Sequence, residues 1–152
     1  MNPSTTAALA PPLVQRLARD FGAAWVTPET FDHWLAQGGD RVLLLAGEPV
    51  RFPEGQDVAA VLPELMKAFP GRFQIAVVAR EQEDALARRY GSQRWPALLF
   101  FRDAQYVTAL VGMQDWEVYL RAIDAALRLP PSRPPTIGIP VLGPGQSGSA
   151  CH

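Results

Sequence analysis

The sequence predicts an α/β fold in which helices cover both faces of one mixed sheet. The prediction rests on three observations. The runs RVLLLAG and RFQIAVVA are continuous and apolar, which is typical of strands buried on both faces of a sheet. Amphipathic helical patterns alternate with these runs, as they do where helices connect parallel strands. Later in the chain, ALLFF and YVTALVG flank the polar segment RDAQ, which indicates an antiparallel hairpin.

Two helices and a strand are predicted in the N-terminal quarter of the chain. The segment PPLVQRLARDFG has apolar residues at helical spacing and ends at Gly22, so it predicts a helix before the first strand. AAWV is a short strand candidate. TPETFDHWLAQGG predicts the next helix, with Thr27 at its N-cap, Pro28 in its first turn and Gly38-Gly39 after its end.

Three further helices are predicted in the rest of the chain. DVAAVLPELMKAFPG has the strongest helical pattern, with Asp57 as the N-cap after a loop EPVRFPEGQ, and with Pro70-Gly71 ending the helix. Pro63 lies inside this segment and should kink the helix, because proline removes a backbone hydrogen bond. REQEDALARRYG predicts a short helix that Gly91 ends, and MQDWEVYLRAIDAALRL predicts the closing helix.

The composition is that of an ordinary globular protein. Of the 152 residues, 48% are hydrophobic and 19% charged, and the net charge of −1 gives no electrostatic case for binding nucleic acid or an anionic membrane. The single cysteine rules out an internal disulfide and suits a reducing compartment. No apolar run approaches the roughly 20 residues that span a bilayer, and MNPSTTAALAPP lacks the features of a secretory signal. We therefore expect a cytoplasmic protein with no membrane insertion.

The distribution of proline and glycine divides the chain into three parts. Residues 1–10 are expected to form a flexible N-terminal arm, and residues 11–129 the folded domain. Residues 130–152 are rich in proline and glycine with little to bury, so we expect a disordered tail.

The segment YGSQRWPALLFFRDAQYVTALVG resembles the last third of a thioredoxin. In that pattern a helix ends in Tyr-Gly, a cis proline follows, and two antiparallel strands precede a glycine and the last helix. Pro96 matches the cis proline, and Pro63 matches the proline of the thioredoxin active-site helix. The resemblance thus implies a thioredoxin-like three-layer sandwich, with the additional N-terminal helix and the tail outside it.

The same alignment of patterns locates the position of the thioredoxin active site. Counting back from Pro63 places Gly55, Gln56, Asp57 and Val58 where the Cys-Gly-Pro-Cys motif would be. Disulfide exchange requires a reactive thiolate at the helix start and a second thiol that resolves the mixed disulfide. Glycine and valine supply neither, so the residues themselves exclude this chemistry at that site.

A narrower resemblance covers the chain up to about residue 129. FPEGQDVAAVLPELMKAFPGRF, AVVAREQEDALARRYG, RWPALLFFRD and GMQDWEVYL resemble the HyaE/HupG (HoxO) family of hydrogenase expression proteins. The family implies a non-catalytic, cytoplasmic maturation chaperone for an uptake [NiFe] hydrogenase. Its expected partner is the small-subunit precursor with a twin-arginine signal peptide, with other hydrogenase accessory proteins as further partners.

Trp95 and Pro96 are the first candidates for partner binding. In thioredoxins the backbone before the cis proline pairs with an extended peptide, and Trp95 is of a type enriched at binding hot spots. The alternative is that Trp95 packs into the core against the kinked helix. The acids Glu54 and Asp57, with Glu48 nearby, would attract arginine pairs. Alternatively, Asp57 is a helix cap and the others are solvated.

Two further sets of side chains each allow two interpretations. Trp116 could line an exposed patch with Tyr119 on the last helix, although aromatic residues at this spacing are more often core. The charged residues of REQEDALARRYG are most simply a solvated helix face with an Asp84–Arg88 pair, although such a face could also dock a partner.

The sequence provides no metal or cofactor site. Cys151 and His152 are adjacent potential ligands, but a closed metal site needs about four, and the only other histidine is His33. LGPGQSGSA lacks the Gly-Lys-Ser/Thr ending of a phosphate-binding loop. Besides the chaperone, a redox-inactive scaffold subunit without signal-peptide recognition is the second hypothesis, and a glutathione-dependent enzyme is the third.

Overall fold

The computed structural model describes residues 10–135 of the chain. The predicted arm lies outside these residues except for Ala10, and so does most of the predicted tail, including Cys151 and His152. The helices and strands of the described residues are α1 (Pro12–Phe21), β1 (Ala24–Val26), α2 (Phe31–Leu35), β2 (Asp40–Leu45), α3 (Glu54–Ala68), β3 (Gln74–Val78), α4 (Arg80–Arg89), β4 (Ala97–Arg102), β5 (Gln105–Val111) and α5 (Trp116–Ala126).

The five strands form one mixed sheet in the order β1-β3-β2-β4-β5. β1, β3 and β2 are parallel to one another, β4 is antiparallel to β2, and β5 is antiparallel to β4. Both the predicted order of helices and strands and the predicted mixed sheet are confirmed. At one end of the sheet, Leu45 of β2 pairs with Ala97 of β4, and Ala97 pairs with Val111 of β5.

Helices cover both faces of the sheet and produce a three-layer structure. One core joins α1, α3 and α5 to the sheet, and the other joins α2 and α4 to the opposite face. Successive residues of β2 belong to opposite cores: Val42 and Leu44 to the first, Leu43 and Leu45 to the second. This strand is therefore buried on both faces, as its continuous apolar run predicted.

The polar segment between β4 and β5 forms a tight hairpin. Asp103 and Ala104 both have positive φ angles, of 50° and 70°, as the two central residues of a type I′ turn require. The Asp103 side chain accepts a hydrogen bond of 2.9 Å from the Gly39 N–H. The hairpin is thereby attached to the loop that leads into β2.

Two helices begin at residues other than those predicted. α3 begins at Glu54, so the prediction that Asp57 is its N-cap was wrong. Pro53 already has a helical φ of −62°, and the Phe52 N–H donates to the Glu48 carbonyl at 2.7 Å, so the chain turns one helical turn earlier. α2 has only five residues, because the segment from Thr27 to Thr30 forms a separate hydrogen-bonded turn.

The first residues of the predicted tail lie beside the outer strand. The Ser132 N–H donates to the Tyr106 carbonyl and the Ser132 hydroxyl donates to the Val107 carbonyl, both at 2.8 Å. Ser132 therefore binds the backbone at the edge of β5. Within the described residues, no helix is both long enough and apolar enough to cross a membrane.

Candidate functional site

The cis proline marks the end of the sheet at which the parallel strands finish. The Trp95–Pro96 peptide bond is cis, and the buried Pro96 carbonyl accepts a hydrogen bond of 2.8 Å from the Gly112 N–H. Val111, which is 37% exposed, stands at the end of the adjacent strand. We call Trp95, Pro96 and Val111 the ledge.

Trp95 is half-buried, and its role in partner binding stays a prediction. Its ring lies against Phe52, with centroids 5.7 Å apart, and it also packs against the core on the α2 and α4 face. Its indole Nε1 is buried and has no hydrogen-bond partner among residues 10–135. An unpaired buried donor costs free energy.

Gly47 lies in close contact with Trp95 and Phe52. Its φ is +85°, and a Cβ there would lie 2.9 Å from the Trp95 Cβ and 3.0 Å from the Phe52 ring. Any side chain at this position would therefore displace Trp95 or Phe52. The loop that follows β2 thus supports the ledge from below.

The position of the thioredoxin motif lacks thiols, and packed atoms also fill the space there. A Cβ on Gly55 would lie 1.9 Å from the Ala46 carbonyl oxygen, so the backbone itself fills the space where a first cysteine would project. Val58 is buried at 1% exposure. Gln56 is half-buried, with a buried Nε2 that finds no partner in the described part of the chain, and Asp57 is exposed.

The candidate acids Glu48, Glu54 and Asp57 do not form one cluster that could bind an arginine pair. The Glu48 carboxylate accepts the N–H groups of Val50 and Arg51 at 3.1 and 2.7 Å. These bonds lower the pKa of Glu48 below its usual range, and the nearby positive charges of Arg80 and Arg51 add to the effect. Glu54 and Asp57 are both exposed in the first turn of α3.

An arginine-rich groove of about 650 Å³ opens beside the ledge. Its lining combines aromatic and apolar side chains with four arginines and a single acid: Arg51, Phe52, Arg80, Asp84, Ala87, Arg88, Ser92, Gln93, Arg94, Trp95 and Val111. We call this the arginine groove. The sequence analysis missed it, because its arginines come from the loop before α3, from α4 and from the segment before β4. The only local signal was Arg94, which directly precedes Trp95.

Of the four arginines, only Arg80 is neutralised by neighbouring acids. It pairs with Asp84 at 3.2 Å and with Glu83 at 3.6 Å, so the predicted Asp84–Arg88 pair was wrong. The Arg51 guanidinium lies 5.2 Å from the centre of the Phe52 ring. Like Arg51, the exposed Arg88 and Arg94 form no ion pair with any residue that the structure describes.

Glu83 was predicted to be solvated, and this was wrong. It is only 2% exposed, and its carboxylate accepts the N–H groups of Ala46 at 2.8 Å and Gly47 at 3.1 Å. Burial raises the pKa of Glu83 to about 7, although these two N–H groups and Arg80 favour the charged form. The sequence pattern of the charged helix α4 does not indicate that the Glu83 side chain is covered by the loop after β2.

The two aromatic residues of the last helix have different environments. Tyr119 is core, at 1% exposure, whereas Trp116 is 43% exposed. The Tyr119 hydroxyl donates to the Gly112 carbonyl at 2.9 Å, and Gly112 in turn donates to Pro96. Tyr119 rather than Trp116 therefore connects α5 to the ledge.

Comparison with known proteins identifies the family. The family model described as hydrogenase-1 expression protein HyaE matches residues 13–119. The chain belongs to the HyaE family. Two HyaE-family relatives are the hydrogenase expression/formation protein HoxO of Cupriavidus necator, 51% identical over 99% of this chain and 94% of its own length, and HupG of Bradyrhizobium diazoefficiens, 39% identical over 77% and 82%.

The fold of this HyaE-family chain is thioredoxin-like. It is similar to the solved structure of a yeast mitochondrial 1-Cys peroxiredoxin, with a TM-score of 0.56 and 13% identity, covering 71% of this chain and 95% of that one. Identity this low bears on the fold alone. No group of three or more potential metal ligands occurs in the described part of the HyaE-family chain.

Proposed function

We propose that this chain is a non-catalytic, cytoplasmic maturation chaperone of an uptake [NiFe] hydrogenase. On this proposal, it holds the small-subunit precursor before export. The relatives are named hydrogenase expression/formation proteins, which supports a role in making a hydrogenase. The observation that carries the proposal is the ledge: a half-buried tryptophan packed on Phe52, beside a helix start that has no thiol.

The ledge has the features of a surface that binds a peptide reversibly. In thioredoxin-like folds the backbone before the cis proline can pair with an extended segment. The indole of Trp95 adds a large apolar surface. Without cysteines at Gly55 and Val58, the partner is not captured covalently. Binding and release then depend on affinity alone, which suits a protein that must give up its client.

The twin-arginine signal peptide is the part of the precursor for which the exposed acids are suited. Glu54 and Asp57 stand in the first turn of α3, and a carboxylate can accept two hydrogen bonds from one guanidinium. We propose these two acids as the contact for the signal peptide, and the ledge as the contact for the remainder of the precursor.

A pull-down tests the proposal. The full chain is immobilised, and the hydrogenase small-subunit precursor is added either with or without its signal segment. We expect Trp95→Ala to weaken precursor binding about tenfold or more, as hot-spot truncations do, while circular dichroism stays that of the folded protein. Trp95→Phe retains a smaller aromatic ring without the N–H, so an intermediate loss is expected. If the wild-type chain enriches neither form of the precursor, the proposal is wrong.

A scaffold subunit that binds through its last helix is the second candidate function. The exposure of Trp116 at the start of α5 favours it, because large exposed aromatic residues are enriched at protein interfaces. In that case Trp116→Ala rather than Trp95→Ala abolishes assembly with the partner, and the signal segment makes no difference to binding.

A further inference from the structure

We propose that the arginine groove binds a carboxylate-rich segment of the partner protein. The inference rests on the proposed function only in taking the ledge as part of a docking surface, and it adds the chemistry of the segment that docks there. The positive charge of the groove is local, since the whole chain has a net charge of −1. It arises because Arg51, Arg88 and Arg94 are brought together from three separate segments.

The charge of these three arginines is available to a ligand. Arg80 is already paired with Glu83 and Asp84, and the Glu48 carboxylate near it is held by its own loop. The other three guanidinium groups form no ion pair within residues 10–135, although the charge of Glu48 lies near Arg51. A guanidinium presents a planar set of donors that matches a carboxylate in geometry as well as charge.

The floor of the groove explains why a peptide fits better than a free anion. Phe52 and Trp95 form an aromatic surface, and Val111 adds an apolar wall at the end of β5. An acidic segment with apolar side chains between its carboxylates would cover this surface.

The same charge argues against a twin-arginine peptide in the groove. Like charges placed together across an interface oppose binding. A signal peptide that docks at Glu54 and Asp57 would therefore leave the arginine groove to a different, acidic part of the partner. Nucleic acid is less suitable, because the chain as a whole lacks the positive charge that drives binding to a phosphate backbone.

The first experiment measures binding of a fluorescein-labelled peptide of alternating glutamate and leucine to the full chain by fluorescence anisotropy. The matched peptide of glutamine and leucine has the same shape without the charge. We expect the acidic peptide to bind at least tenfold more tightly and to weaken as salt is added, because the contacts are ionic. Equal binding of the two peptides, or stronger competition by a single-stranded oligonucleotide than by unlabelled acidic peptide, would overturn the inference.

The second experiment uses charge-reversal variants with the peptide and with the precursor. Arg88→Glu combined with Arg94→Glu should weaken binding of the peptide and of the precursor by about tenfold or more. The control, Arg72→Glu with Arg121→Glu, makes the same change in net charge at exposed sites outside the groove and should have little effect. Arg88→Gln with Arg94→Gln provides a milder pair in case the reversal disturbs folding.

The outcomes separate the inference from the proposed function. If the wild-type chain fails to bind the precursor but binds the acidic peptide through the groove, the proposed function fails and the inference stands. If the precursor binds the groove variants as tightly as it binds the control variants, the inference fails and the proposed function stands.

Discussion

At the scale of single residues, Glu83 connects α4 to the loop after β2 through a carboxylate that water hardly reaches. Its oxygens accept the N–H groups of Ala46 and Gly47, which lie just beyond the end of β2. Gly47 in turn lies against Trp95. The buried carboxylate therefore positions the backbone that supports the ledge, although it does not line the arginine groove itself.

The raised pKa of Glu83, about 7, predicts a loss of stability with rising pH. The folded state holds the proton more tightly than the unfolded state, in which a glutamate has a pKa near 4.5. Between these two values, ionisation of Glu83 therefore lowers the free energy of unfolding, by a total of about 3 kcal/mol. We expect Glu83→Gln to remove this component, as measured by urea unfolding from pH 4.5 to pH 8.

The comparison depends on the slope with pH rather than on absolute stability, since glutamine also changes the hydrogen bonds to the loop. Glu81→Gln is the matched control, because Glu81 is exposed on the same helix. A constant difference in stability between wild type and Glu83→Gln at every pH would contradict the assignment of this titration to Glu83.

At the scale of secondary-structure elements, the contact between the start of α3 and the end of β2 determines the character of the site. Gly55 has no side chain to hold the helix away from the Ala46 carbonyl. The helix therefore approaches the strand more closely than a residue with a Cβ would allow. The place where a thioredoxin-like enzyme would present its first thiol is filled by main chain.

Gly55→Ala is expected to destabilise the fold by about 3 kcal/mol or more, at the upper end of the usual cost of overpacking. The Cβ meets rigid backbone rather than a side chain that can rotate away. Chemical denaturation measures the loss. Gly71→Ala is the control: its Cβ would meet nothing within 4 Å, so only the strain of its positive φ remains, about 1–2 kcal/mol. Equal losses for the two variants would show that the close contact is unimportant.

At the scale of the whole molecule, this chain has a thioredoxin-like fold without thiols at Gly55 and Val58. The sheet order, the two cores and the cis proline bring the ledge, the arginine groove and the start of α3 to one end of the sheet. Open α/β folds bind their ligands at such an end, beyond the carboxyl ends of the parallel strands. The architecture thus favours binding at this end even though the sulfurs are absent.

We expect the purified wild-type protein to leave the rate of insulin reduction by dithiothreitol unchanged. The variant Gly55→Cys with Val58→Cys should also remain inactive in this turbidity assay, because one new side chain collides with the Ala46 carbonyl and the other is buried in the core. Turnover by the double variant that matched a thioredoxin control would show that loss of the thiols alone separates this chain from the redox enzymes.

The sequence alone was sufficient for the order of strands and helices, the mixed sheet, and the absence of thiols at Gly55 and Val58. Apolar periodicity and turn residues are local properties, so they can be recognised from neighbouring positions. The local sequence pattern did not predict the start of α3 at Glu54. Asp57 is a favoured N-cap residue, but Pro53 and the preceding turn begin the helix before it.

Only the tertiary structure decided which charges are buried and which are gathered together. The helical pattern alone predicts that Glu83 is exposed, whereas the loop after β2 covers its carboxylate. Arg51 is far from Arg88 and Arg94 in the chain. The pairing of β2 with β4 brings their segments to the same groove. Electrostatic energy depends on distance in space, and the fold alone determines that distance for residues far apart in the chain.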